Sequence, residues 1–408
     1  MCWLVAARIL IGDVDATGYA TYMLVAGLVT VLPFADLGMG ASVMDAFARR
    51  GEPNAPDPVR VFAKTWKLLC FSALVIAVVG VAMGVAGFWT TLLGLPASRS
   101  LNSTISICTV LLAIGVPLGL GQRVLTGLGK NHYTIFFQSL SAVVMFALVL
   151  ILSQTESSVH AYVLAPFSGL LIANFLSLIV ALRLSEVRFR EEILAVSRSG
   201  LSDISVRKVA GPMLVITLVL PLAYQMDRVI LSHAASSDAV AQYSLSYQLF
   251  APLLGVLGSA GAALWPIFAK QRTMAMGLRR STVALAEGSF LAVGSCMAIG
   301  LVLVTPYVAG AVSSSQVHIS AGLTVAFATL LVLQAASYPL AMVLTSAHEL
   351  RIQAVLHVGM LLANLPLSVV LAFRLGASGP VIASLLSVAV ALFIPQVWRV
   401  LRLTRSQG

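Results

Sequence analysis

Long apolar runs decide what this sequence can fold into. A bilayer hydrocarbon core near 30 Å needs about 20 apolar residues per helix. Runs of that kind fall at 17–45, 66–93, 103–126, 134–153, 159–182, 209–232, 239–268, 283–312, 318–346, 353–373 and 379–398. The opening stretch Met1–Ile11 is too short to span and reads as the tail of a further helix. That gives about twelve membrane helices with the first truncated: either the true start lies upstream or the first helix has degenerated. Composition points the same way. The chain is 59% apolar and only 10% charged, against roughly 45–50% and about 25% in ordinary globular chains. A water-soluble fold of 408 residues could not cover its surface with so few charges. The expected class is an all-α integral membrane protein.

Charge placement orients the helices. Arg49, Arg50, Arg60, Lys64 and Lys67 share one loop, and Arg123 and Lys130 a second. Arg183, Arg188, Arg190, Arg198, Arg207 and Lys208 fill the longest loop. Lys270, Arg272, Arg279 and Arg280 follow, then Arg351, then Arg399, Arg402 and Arg405 in the tail. Only Arg8, Arg99, Arg228 and Arg374 fall on the other side, so 21 of 25 basic residues obey the positive-inside rule. The C-terminus is expected in the cytoplasm, as is the N-terminus if the first helix is complete. The net charge of +10 is thereby explained by topology, and no nucleic-acid partner is needed.

Cys2, Cys70, Cys108 and Cys296 lie far apart in apolar stretches without CxxC spacing, so neither zinc nor a disulfide framework is expected. No cleavable signal peptide is evident, because Met1-Cys2-Trp3 starts inside an apolar run without a basic n-region. Thr126-Gly127-Leu128-Gly129-Lys130-Asn131 lacks the spacing of a phosphate loop and follows no strand. Without a nucleotide site, active transport would draw on an ion gradient or on substrate flux. Neither HExxH, paired carboxylates nor a nucleophile elbow is present. The reading is not an enzyme, with no cofactor and no metal.

An internal repeat divides the chain. Tyr22 aligns with Tyr243 at an offset of 221, which also pairs Gly40 with Gly261 and Phe47-Ala48-Arg49 with Phe268-Ala269-Lys270. Val124-Leu125-Thr126 aligns with Val343-Leu344-Thr345 at 219, and Pro117 with Pro339 at 222. Six helices per repeat put both halves in the same orientation. Such halves are related by an axis along the membrane normal, with a substrate site expected between them. The expected organisation is an N-terminal lobe at 1–182, a cytoplasmic linker at 183–208 and a C-terminal lobe at 209–408. Within the linker, about 186–197 is amphipathic enough to lie on the membrane surface.

Several ordered segments then resemble a known family. Ala7-Arg8-Ile9-Leu10, Gly12, Gly18-Tyr19-Ala20-Thr21-Tyr22 and Asp36-Leu37-Gly38-Met39-Gly40 are similar to the first two helices of Wzx-type polysaccharide flippases. Asp227-Arg228-Val229-Ile230-Leu231 and Val240-Ala241-Gln242-Tyr243-Ser244-Leu245 look like their seventh and eighth. Leu264-Trp265-Pro266 and Leu375-Gly376-Ala377-Ser378-Gly379 also fit. The resemblance implies membership of the superfamily of multidrug (MATE-type) exporters and the lipid II flippase. It further implies a polyprenyl-pyrophosphate-linked oligosaccharide, moved across the bacterial inner membrane by alternating access for surface polysaccharide synthesis. Membrane lipids, a coupling proton or sodium ion and polysaccharide assembly proteins are the partners it allows.

Against that background the few ionisable groups inside spans are informative, because each is costly unless it faces a cavity or a partner. Arg8 and Arg228 occupy corresponding outer helix ends. They either bind pyrophosphate oxygens as guanidinium forks or snorkel to the interface. Asp227 either meets Arg8 or takes a proton or sodium ion, and Asp36 either couples to an ion or bends its helix. Tyr22, Tyr224 and Tyr243 with Gln225 are candidate sugar contacts, although Tyr also serves in interfacial belts. Asn174, Gln248, Gln334 and Asn364 either line a hydrophilic cavity or bond between helices. Two rival readings remain at this point. One is a cation-coupled multidrug exporter of the same superfamily, which should have a more acidic cavity. The other is a non-transporting scaffold or degenerate paralogue, suggested by the short start.

Overall fold

A computed structural model describes residues 2–31, 39–48, 50, 57–155, 157–185, 225–262, 264, 267–268, 271, 280–313 and 317–405. Asp36, Tyr224 and positions 186–208 of the expected linker lie outside the described residues. Every regular element among the described residues is helical. Eight of these helices are long and apolar enough to cross a membrane. A helix closes its own backbone hydrogen bonds, which is why hydrocarbon tolerates it. The chain divides into two compact units, Met1–Ala210 and Gly211–Gly408.

The first unit begins with α1 (Cys2–Ala26), which is broken at Asp15 by a backbone at φ 62° and ψ −177°. Asp15 Oδ1 accepts from the Thr17 and Gly18 amides at 2.7 and 2.9 Å. It therefore caps a new helix, and the opening helical segment runs to this break rather than ending at the expected Ile11. Ala6, Ala7, Leu10 and Ile11 are buried at i, i+4 spacing, while Arg8 stands on the exposed face. Next come α2 (Met39–Ala48), α3 (Pro58–Val85), α4 (Phe88–Leu92), α5 (Arg99–Leu118), α6 (Leu120–Gly127), α7 (Asn131–Ser153) and α8 (Val159–Ser185).

Basic residues of two expected loops lie on helices instead: Arg123 is inside α6, and the start of α3 takes in three more. Helix α3 starts eight residues before the expected 66, so Arg60, Lys64 and Lys67 ride on its first turns rather than in a loop. Asp57 supplies the N-cap, accepting from the Val59 amide, and Pro58 is preset for the first helical position. A helix of 28 residues is about 42 Å long, so these charged turns project beyond the hydrocarbon. At its other end α3 stops at Gly87, whose φ of 74° suits glycine.

Gly80 and Gly84 let α3 and α5 approach closely. A Cβ on Gly84 would meet Ser106 Oγ, and one on Gly80 would meet Thr109 Cγ2. The Gly80 carbonyl accepts from Trp89 Nε1 at 2.8 Å and from Ser106 Oγ at 3.1 Å. Gly80→Val is therefore expected to lower stability by about 1–3 kcal/mol through overpacking. Thermal unfolding in detergent checks this, and an unchanged Tm would refute the close-packing role.

The second unit holds α9 (described over 225–234), α10 (Ser237–Ala262), α11 (Arg280–Ser313), α12 (Ala321–Val343), α13 (Ala347–Leu375) and α14 (Ser378–Ser387). A π-helical segment (Val388–Phe393) then leads into α15 (Ile394–Arg405). Gly376, at φ 56°, makes the turn from α13 into α14. A Cβ on Gly379 would strike the Leu371 carbonyl, so this position also demands glycine. Helix α10 is long enough to span but carries Gln242, Ser244, Ser246 and Gln248, and it is not among the eight most apolar helices.

The same packing recurs in both units. In the first, Phe47, Phe62, Leu120, Val124, Leu125 and Leu178 belong to one buried cluster. In the second, Phe268, Val283, Leu340, Val343, Leu344 and Val400 form the corresponding one. The pairs are offset by 219 to 222 residues, the range already seen in the sequence repeat. Outside these cores, Phe71, Val85, Tyr307 and Phe373 are among many large side chains left more than half exposed. A soluble monomer rarely shows so much apolar surface, and in a bilayer that surface meets lipid.

At one end of the second unit, Arg399 grips Glu349 bidentately, Nε to Oε2 at 2.8 Å and Nη2 to Oε1 at 2.9 Å. Ser346 caps α13 and accepts from the Glu349 amide. Glu349 is buried, so Glu349→Ala should cost about 1–3 kcal/mol by stranding the guanidinium and weakening the start of α13. A chemical or thermal unfolding series reads this directly, and no change would mean the staple contributes nothing.

Candidate functional site

The second unit contains a buried polar cluster built on a carboxylate. Asp227 is 0% exposed on α9. Tyr243 on α10 donates its hydroxyl to Asp227 Oδ2 at 3.0 Å, and Ser368 on α13 donates to Oδ1 at 3.2 Å. Asn364, one turn before Ser368, accepts from Ser384 of α14 at 3.4 Å and lies 3.3 Å from the Ser368 hydroxyl. Four helices thus converge on one acid. Each donor satisfies part of a carboxylate that would otherwise be very costly at membrane depth.

Arg228 follows Asp227 directly and is only 5% exposed. Nη1 donates to Gln225 Oε1 at 3.3 Å, a one-turn partner on the same helix. The guanidinium carbon stands 5.0 Å from the centre of the Tyr247 ring, a cation–π distance. Tyr247 stacks on Tyr243 at 6.2 Å, and Phe250 and Phe327 continue the aromatic wall. The Arg228 Nε proton has no partner among the described residues. Asn364 Nδ2 is likewise buried without a partner among the described residues. A buried cation with a donor to spare, beside a carboxylate held by hydroxyls, has the chemistry to bind an oxyanion at one residue and a proton at the next.

The structure brings four of the sequence candidates together here: Gln225, Asp227, Arg228 and Tyr243. The hydroxyl of Tyr243 is spent on Asp227, so this residue positions the acid. Both Tyr22 and Tyr243 are fully buried rather than placed in a lipid-facing belt. In the first unit Tyr22 points its hydroxyl at Met145 Sδ, 3.8 Å away. At the offset of 220 that pairs Arg8 with Arg228, Ala7 stands where Asp227 stands. At the offset of 219, Met145 falls on Asn364. The polar cluster therefore has an apolar counterpart, and Arg8 is exposed where Arg228 is buried.

Sequence reading passed over Ser368 and Ser384, which complete the cluster, and Asp13, which accepts from Tyr162 at 2.5 Å and joins α1 to α8. Two acids in the apolar run Gly12-Asp13-Val14-Asp15 were the available signal for Asp13. Asn174 bonds between helices, accepting from Gln122 at 2.9 Å and donating to the Gly115 carbonyl at 3.1 Å. A separate cavity of about 620 Å³ in the second unit is lined by Leu291, Val302, Val332, Phe393 and similar groups. Its Thr329 hydroxyl is already donated to the Val325 carbonyl, so the cavity offers hydrocarbon contacts and no headgroup site.

Comparison with known proteins agrees with this architecture. An inward-facing multidrug resistance MATE family transporter of the MOP superfamily is similar over 100% of this chain and 96% of its own, with 16% identity and a TM-score of 0.73. The lipid II flippase MurJ, in an inward closed conformation, matches 100% of this chain and 88% of its own at 10% identity and a TM-score of 0.65. The MATE multidrug transporter DinF-BH covers 98% of this chain and 91% of its own at 17% identity and a TM-score of 0.58. No curated protein sequence matches the chain. The chain shares the all-helical fold of these multi-pass membrane proteins. Residues 3–271 match the family described as polysaccharide biosynthesis protein, and the chain belongs to that family.

Proposed function

We propose that this protein flips a polyprenyl-pyrophosphate-linked oligosaccharide across the bacterial cytoplasmic membrane by alternating access, with its C-terminus in the cytoplasm. The observation that carries the reading is Arg228, a buried guanidinium with an uncommitted Nε donor. A pyrophosphate leaving water needs such a cation, and guanidinium binds phosphate oxygens as a planar fork. Family membership and the positive-inside charge pattern support the same reading. Arg8 adds a second cation near the outer membrane surface, where a departing headgroup regains its water.

Asp227 is the proposed coupling group. It is a carboxylate enclosed by Tyr243, Ser368 and the neighbouring Arg228, so loading a proton there changes the charge beside the headgroup cation. The decisive assay is exposure of a lipid-linked saccharide on the outer leaflet of proteoliposomes. Protein-containing vesicles should exceed empty ones, and equal signals would end the proposal. The likeness to MATE transporters favours one rival, a cation-coupled drug exporter. Drug resistance conferred on a sensitive strain, with no effect on saccharide exposure, would establish it instead.

A further inference from the structure

A line of buried side chains, polar except for Met360, runs from the Asp227 cluster to the basic end of the second unit. On α13, Glu349, Gln353, His357, Met360, Asn364 and Ser368 follow at three- and four-residue spacing and are all buried. That spacing puts them on one face of the helix. Helices α14 and α15 supply the facing row: Ser384, Ser387, Gln396 and Arg399. Two contacts fix the register between the rows, Asn364 with Ser384 and Glu349 with Arg399. These anchors are 15 residues apart on both strands of the seam, as their numbers show. Antiparallel register then sets Gln396 within one residue of Gln353, whose Nε2 donates to the Ala341 and Leu344 carbonyls at the end of α12, and Ser387 within one residue of Met360. The seam is about 22 Å long at 1.5 Å per residue.

The groups along it are unusually short of partners. Asn364 Nδ2, Ser387 Oγ, and both Gln396 Oε1 and Nε2 are buried with no hydrogen-bond partner among the described residues. Buried polar groups are normally bonded, and internal water commonly supplies the missing partner where several converge. The π-helical segment Val388–Phe393 lies between Ser387 and Gln396 and packs against α13. Such segments loosen the backbone ladder and occur often at functional sites. Midway, His357 Nδ1 lies 2.7 Å from the Gln353 carbonyl. A carbonyl only accepts, so Nδ1 carries the proton and Nε2 is the free basic atom.

We propose that this seam is a hydrated proton path joining Asp227 to the basic end of the unit, with His357 as its midpoint relay. The proposal rests on the reading of Asp227 as the coupling acid. Its donors and acceptors are mixed, with amide N–H groups beside hydroxyls and a carbonyl oxygen. That mixture suits water and proton hopping, whereas N–H donors repel a bare metal cation. The charged or titratable groups bordering the path are the Glu349–Arg399 pair at one end and Asp227, Arg228, Tyr243 and Tyr247 at the other. Tyr338 of α12 faces away from the path, its hydroxyl donating to the Leu254 carbonyl of α10 at 3.5 Å.

Radiolytic hydroxyl footprinting of the purified full-length protein tests hydration, because radicals born from bound water oxidise adjacent side chains. Met360 on the seam and Met145 in the first unit are both 1% exposed, so Met145 is the internal control. Met360 should be oxidised severalfold faster, and Ser387→Ala or Gln396→Leu should bring it down toward Met145. Equal rates for the two methionines in the native protein would overturn the hydrated seam. A second arm follows the Asp227 carboxyl band by infrared spectroscopy after a pH step, the band being assigned by its loss in Asp227→Asn. Gln396→Leu and His357→Phe should each slow its response severalfold without shifting it. Native rates in both variants would overturn the relay, and a band that answers to sodium at fixed pH would overturn its assignment to protons. Neither arm requires flipping activity, so failure of the transport reading is read separately, in the proteoliposome assay.

Discussion

Arg228→Ala is expected to reduce saccharide exposure in proteoliposomes by roughly 10- to 100-fold, the equivalent of one charge-assisted bond of about 1.5–3 kcal/mol. The argument starts from dehydration. At 5% exposure, Arg228 has already given up its water, and its partners are one amide oxygen and a tyrosine face. A phosphate oxygen reaching Nε therefore meets a donor that need not be stripped of solvent. Arg228→Lys should retain part of the activity, because charge remains while the fork is lost. Arg8→Ala should have a smaller effect, since Arg8 is exposed and its interactions are weakened by solvent. Each variant needs a thermal unfolding curve, because loss of the Tyr247 contact alone would cost about 0.5–2 kcal/mol. Equal losses in Arg8→Ala and Arg228→Ala, both folded, would contradict the special place given to Arg228.

How much of this was legible in the sequence depends on range. Membrane helices and charge bias are local properties of composition, and both were readable. The start of α3 was not, because hydropathy falls across Arg60, Lys64 and Lys67 although the helix continues; the Asp57-Pro58 pair was the better signal. Asp227, Tyr243 and Asn364 stood out as polar groups in apolar surroundings. Ser368 and Ser384 did not, because serine is scattered through these helices and carries no mark of its partner. Ser368 finds Asp227 across 141 residues, a distance that no periodicity in a single chain encodes. The stripe from Glu349 to Ser368 was available in principle from helical spacing. What makes it notable is the facing row on α14 and α15, and that depends on a tertiary register.

The asymmetry between the units also bears on coupling. A carboxylate occurs at the Asp227 position and alanine at its counterpart, Ala7, so one unit carries a group able to change charge where the other does not. Two substitutions at Asp227 separate charge from architecture. Asp227→Leu removes both acceptors and leaves the Tyr243 and Ser368 hydroxyls without their partner, which should cost about 2–6 kcal/mol at about 1–3 per stranded group. That variant is expected to unfold early or express poorly. Asp227→Asn keeps the shape, its carbonyl still accepts, and a tyrosine hydroxyl can accept from the new amide. It should fold with a near-native Tm. What it loses is the ability to gain a proton, so an imposed pH gradient should no longer accelerate saccharide exposure, while slow gradient-independent exchange persists. The measurement is the ratio of exposure rates with and without the gradient, which should fall to unity in Asp227→Asn. A folded Asp227→Asn protein that keeps the native ratio would show that coupling lies elsewhere and that the buried acid serves packing alone.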